Sequence, residues 1–173
     1  VVSTVAGVTI GNAGTVDLDG DVTGATTVTI SDVGTEIDLA AGVDITASGG
    51  NVDLNNTVAQ IDLSGTTDTN TISASGSVEL ANVVDTGTTT ATSPVELVVT
   101  AGTGVTLGTV TLSNTLDVDF DTATGTSTLN AGSLSAGTIE VDGVGTNDVM
   151  NFGSTVVSTV AGVTIGNAGT VDL

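Results

Sequence analysis

Two runs of alternating aspartates are the places where this chain spaces side chains to act together. Asp117, Asp119 and Asp121 form one run; Asp17, Asp19 and Asp21, with Gly20 between them, form the other. On a strand alternate residues share a face, so each trio would turn three carboxylates the same way. Hard cations such as Ca²⁺ take several oxygen ligands of this kind. Both trios are therefore candidate cation sites, against the plainer reading of a solvated acidic face. An EF-hand loop would also need its own Gly and a distal Glu, and these are missing. Nothing else in the chain requires a cofactor.

Other chemistry has little to use. There is no His, Lys, Arg or Cys, so no base stands ready to activate a Ser or Thr hydroxyl. Paired carboxylates serve glycoside hydrolysis, but Phe120 and Phe152 are the only aromatic residues that could carry a sugar ring. Catalytic sites are singular, moreover, while this chain repeats itself. No enzyme is expected.

Twenty acids without one Lys or Arg give a formal charge of −20. Phosphate binding works through Lys and Arg, so nucleic acid is excluded as a partner, and an anionic membrane surface falls to the same sign argument. No apolar run approaches the ~20 residues of a membrane-spanning helix, and a membrane barrel would carry aromatic girdles. Acidic chains poor in aromatics are often disordered. Here a 39% hydrophobic fraction, mostly Val, Ile, Leu and Ala, supplies enough burial to fold. The lack of Cys leaves the compartment open.

The elements that position the acids read as strands. Thr appears 35 times, and no apolar stripe of helical spacing lasts beyond a turn. Short alternating runs recur, such as Val8-Thr9-Ile10 and Val28-Thr29-Ile30. A second form sets an acid between two apolar residues: Val16-Asp17-Leu18, Ile37-Asp38-Leu39, Val52-Asp53-Leu54, Ile61-Asp62-Leu63, Val78-Glu79-Leu80, Val95-Glu96-Leu97, Val118-Asp119-Phe120 and Ile139-Glu140-Val141. Each triplet should bury its flanks and expose its carboxylate. With Asp53 set aside as out of step, the acids advance by 17 to 24 residues from Asp17 to Glu140. That predicts an all-β parallel β-solenoid of about eight coils, near 19 residues each, in 155 residues. It also predicts one outward column holding Asp17, Asp38, Asp62, Glu79, Glu96, Asp119 and Glu140. Gly11-Asn12-Ala13-Gly14 and Ser48-Gly49-Gly50 supply corners between strands. The competing architecture is a pair of tandem β-sandwiches, but residues 1–77 and 78–155 do not align with each other.

Val1 to Leu18 (VVSTVAGVTIGNAGTVDL) returns unchanged as Val156 to Leu173, an offset of 155 residues. Residues 1–155 thus read as one full tandem unit and 156–173 as the start of the next, in a longer array whose partner is itself.

Thr128-Leu129-Asn130-Ala131-Gly132-Ser133-Leu134 and Gly137-Thr138-Ile139-Glu140-Val141 carry the texture of giant prokaryotic surface proteins. The chain resembles filamentous-haemagglutinin-like adhesins, autotransporter passengers and S-layer-type β-strand repeat proteins, by composition along its whole length. The resemblance implies a right-handed parallel β-helix forming a rod on or outside the cell. The expected role is structural, a segment of an extracellular filament, fibre or sheath. The alternatives are an adhesin stalk that spaces a binding tip from the cell, an S-layer-like protein, or an ice-binding repeat. The last is suggested by the Thr-rich runs from Thr86 to Thr92 and from Thr122 to Thr128.

Overall fold

A computed structural model describes residues 1–55, 59–64, 68–85, 97–121 and 125–173. Alternation of apolar and polar residues makes the described chain a succession of short strands. Every pairing between these strands is parallel, and the coil that results has three faces.

Face 1 stacks β1 (Val2–Ser3), β3 (Val22–Gly24), β5 (Asp44–Ala47), β8 (Asn70–Ala74), β11 (Leu97–Ala101) and β14 (Thr115–Phe120), then the second halves of β16 (Leu134–Asp142) and β18 (Val156–Gly166). Face 2 stacks the first halves of β2 (Val8–Leu18) and β4 (Val28–Leu39), then β6 (Val52–Leu54), β9 (Ser77–Leu80), β12 (Gly104–Leu107), β15 (Thr128–Ala131), β17 (Val149–Phe152) and β19 (Thr170–Asp172). Face 3 takes the second halves of β2 and β4, then β7 (Gln60–Leu63), β10 (Asn82–Val84), β13 (Val110–Thr111) and the first halves of β16 and β18. The fold is a parallel β-solenoid of about seven coils. Sandwiches would need antiparallel sheets, and none occurs among the described residues.

Register makes the core continuous. On face 1 Val22, Ile45, Ile72, Val99, Val118 and Val141 stack one above another, each 0% exposed. Val28, Val52, Val78, Val105, Leu129 and Met150 stack likewise on face 2, none more than 1% exposed. Ile37, Ile61, Val83, Val110 and Leu134 follow on face 3. Each such side chain contributes about 1.5–3 kcal/mol by leaving water.

Two kinds of corner turn the chain. Asn12 (φ 56°) and Asp32 (φ 54°) occupy the same corner on adjacent coils, between the pairs Gly11–Ser31 and Ala13–Val33. Asn and Asp tolerate this left-handed conformation better than other side chains do. Between faces 1 and 2 the corner is a stack of glycines: Gly76 N–H donates to Gly50 O at 2.9 Å, and Gly102 N–H donates to Gly76 O at 2.9 Å.

The coil is longer than the acidic triplets suggested. Successive partners on face 1 lie 19 to 27 residues apart from Val22 to Val141, about 24 on average. A 155-residue unit therefore holds fewer than seven coils instead of eight.

Candidate functional site

Alternation along β14 buries Leu116, Val118 and Phe120 and turns Asp117 and Asp119 outward, both half-buried. The next coil sets Glu140 in register with Asp117, and Asp142 in register with Asp119. Four carboxylates thus share a patch of face 1 across two strands spaced about 4.8 Å apart. Burial raises the Asp119 pKa above its ordinary value, and the charges of Asp142 and Glu140 raise it further. Removing one neighbour should show this. In Asp142→Asn the Asp119 pKa is expected to fall part of the way back, since burial remains. Carboxyl-carbon NMR titration reads the shift, and an unmoved Asp119 would mean the two side chains do not feel each other.

The two trios fare differently. Asp117 and Asp119 share their face as alternation requires, while Asp121 lies just past the strand end and is exposed. Asp17 belongs to β2, whereas Asp19 and Asp21 fall in the following corner. There Asp21 Oδ1 accepts the Asp44 N–H at 3.1 Å and ties that corner to the next coil. Among the described residues no three acids converge in a group that could hold a metal ion.

The single column of seven acids does not form. Asp17, Asp38 and Asp62 stack in register on face 3. Asp53 pairs with Glu79 on face 2, and Asp119 and Glu140 lie on face 1. Glu96 lies outside the described residues. The reason is geometric. Each coil has three strands able to carry a triplet, so the march of triplets slides from face to face. Within the face 3 ladder Asp38 Oδ1 is buried without a hydrogen-bond partner.

Sequence reasoning missed two buried polar residues. Asp148 is 1% exposed. Its Oδ1 accepts the Ser127 N–H at 2.8 Å, and its Oδ2 accepts those of Val144 (2.8 Å) and Gly145 (3.0 Å). Burial pushes this carboxyl up, but the three backbone donors prevail and hold its pKa below the ordinary carboxylate value. Asp148 stands outside the triplet pattern, and only its place between a Gly-rich turn and the apolar-polar run Val149–Phe152 hinted at it. Asn70 is 0% exposed, in register with Leu97 on the inner side of face 1. Its Nδ2 donates to Ala40 O at 2.8 Å and Val43 O at 3.4 Å. Counting back by two from Ile72 would have placed it inward.

Two open surface recesses among the described residues are lined by uncharged side chains. One of about 350 Å³ is lined by Thr35, Gln60, Asn82, Val84 and Thr109. Another, of about 290 Å³, lies beside the stacked Asn130 and Asn151, where Asn151 Nδ2 donates to Asn130 Oδ1 at 2.9 Å. Their hydroxyls and amides can accept and donate hydrogen bonds. A file of hydroxyls does climb face 1 through Thr23, Thr46, Ser73 and Thr100, with Ser73 Oγ donating to Thr46 Oγ1 at 3.2 Å. It is one residue wide and gives way to Asp119. Residues 86–92 and 122–124 of the Thr-rich runs lie outside the described residues.

No family model, curated protein or solved structure matches the chain. The fold itself, a parallel β-solenoid with a mostly aliphatic interior, is consistent with a structural repeat protein.

Proposed function

We propose that this chain is a building segment of a giant tandem β-solenoid that forms an extracellular filament, fibre or sheath. The observation that carries the reading is the return of Val1–Leu18 as Val156–Leu173 at the far end of the same stack. In the first copy Val8, Val16 and Leu18 are 7, 7 and 8% exposed beneath the following coil. The same residues in the second copy, Val163, Val171 and Leu173, are 43, 42 and 84% exposed. Each copy has a neighbouring coil on one side only: residues 19–39 follow the first copy, whereas the coil carrying Ile139 and Met150 precedes the second, whose following side lacks the cover that the first has. A further unit stacked on the second copy would supply that cover. Solenoid stability is nearly a sum of coil and interface terms, so length grows by duplication without a new core.

The absence of Lys and Arg leaves trypsin-like proteases nothing to cut, which suits an exposed polymer. Ca²⁺ enters this reading as an optional neutraliser of the stacked carboxylates, not as a requirement for folding.

Electron microscopy with antibody against the chain tests the proposal. Labelled rods on intact cells are expected, with an axial rise near ~32 Å per unit at about 4.8 Å per coil. Labelling that appears only after permeabilisation, or compact labelled particles in place of rods, would overturn it.

A further inference from the structure

The two identical segments lie at opposite ends of the stack and on different faces. Val2 stands on face 1, but its counterpart Val157 stands on face 3. Val8 is on face 2 and Val163 on face 1. Val16 is on face 3 and Val171 on face 2. Each of these strand segments of the second copy has shifted by one face in the same sense. The left-handed corner has travelled with the sequence, since Asn12 (φ 56°) recurs at Asn167 (φ 51°), although Gly162 (φ 134°) has no left-handed counterpart at Gly7. In the first copy that corner joins faces 2 and 3; in the second it joins faces 1 and 2.

Resting on the array reading above, we propose that 155 residues span six and two-thirds coils. Each unit is then turned by one third of a revolution relative to the last, and three units complete one structural period. Whatever one unit displays on one side, the array displays in three directions in succession. The carboxylate patch of Asp117, Asp119, Glu140 and Asp142 would recur on face 3 of the next unit and on face 2 of the one after. A second rod of the same kind would meet identical surfaces from three sides, so lateral association has no preferred flat face.

The placement can be tested in this chain without assuming an array. Glu140 and Thr164 are in register on neighbouring coils of face 1, close enough for a disulfide between cysteines at those positions. If the second copy had instead restarted on the faces used by the first, Thr164 would follow Asn151 on face 2. Mild oxidation of Glu140→Cys/Thr164→Cys is expected to give near-complete bridging, and of Asn151→Cys/Thr164→Cys almost none. The reverse result overturns the proposal. So does failure of both pairs to bridge in chains whose circular dichroism remains that of a β-protein. Helical reconstruction of the native assembly then separates the two readings. A rise near ~32 Å with a rotation of about one third of a turn, at ~4.8 Å per coil, supports both. A similar rise with no rotation removes the threefold period and leaves the array. Bridging as expected with no rod in the native assembly removes the array reading, and with it the threefold period.

Discussion

Gly102→Val is expected to destabilise the chain by about 3–5 kcal/mol, a large part of what a domain of this size holds. Gly102 is buried in the corner between faces 1 and 2. A Cβ there would run into the Ser75 carbonyl oxygen and come within 2.8 Å of its carbonyl carbon. Neither atom sits on a flexible side chain that could swing away. The Gly102 N–H also bridges the Ala74 and Gly76 carbonyls at 3.0 and 2.9 Å, so a shift that relieves the clash weakens both bonds. Overpacking costs about 1–3 kcal/mol, and each hydrogen bond adds about 1 kcal/mol. Gly20→Ala is the control, since a Cβ at Gly20 meets nothing within 4 Å. Urea midpoints for the two variants should separate widely. If they coincide, the glycine corner is not wound as tightly as described.

Asp148→Ala should cost about 3–5 kcal/mol, because it strands three buried or half-buried N–H donors at once. Asp148→Asn is the sharper probe. Ser127 donates to one carboxylate oxygen, while Val144 and Gly145 donate to the other. An amide must then oppose its own N–H groups to at least one donor, so a smaller but real loss is expected. The pH profile carries the signature. The Asp148 pKa is lower folded than unfolded, so its contribution is fully present above the ordinary carboxylate value of 3.8 and fades as pH falls through the lower folded value. Asp119 acts oppositely. Its folded pKa is raised, so its contribution is present in acid and is lost as pH rises through that value. Between them these two groups should favour mild acid over neutral pH through Asp119, and the Asp148 contribution should be lost as pH falls below 3.8. Asp148→Asn should lose the part of that acid limb due to Asp148. An unchanged limb would mean the carboxylate is not charged in its cage.

The triplets were legible because a strand's period of two is exact. Val16-Asp17-Leu18, Ile37-Asp38-Leu39 and Val118-Asp119-Phe120 each bury both flanks and turn the acid away from the core. Only Asp62 departs among the described triplets, at 8% exposed. Coil length was not legible, because three faces use the same triplet vocabulary and nothing local marks which face a strand will join. Asp53, out of step in a single march, falls into register with Glu79 once face 2 is separated out. The carboxylate patch escaped for the same reason. Alternation brings Asp117 and Asp119 together, but Glu140 and Asp142 join them only through the length of one coil. Asp148 depends on contacts from Ser127, 21 residues earlier, which no local pattern announces.

Parallel strands stacked coil on coil have a mechanical consequence. The hydrogen bonds joining one coil to the next run along the rod, so tension applied to its ends loads the last coil first and peels it before the one beneath. Each coil of about 24 residues shortens the rod by only ~4.8 Å as it leaves, yet frees roughly 75 Å of extended chain. A pulled stack would therefore yield in small steps and lengthen many-fold before its backbone was drawn taut throughout. Because each coil contacts only its neighbours, the coils still seated would keep their shape while the end unwound.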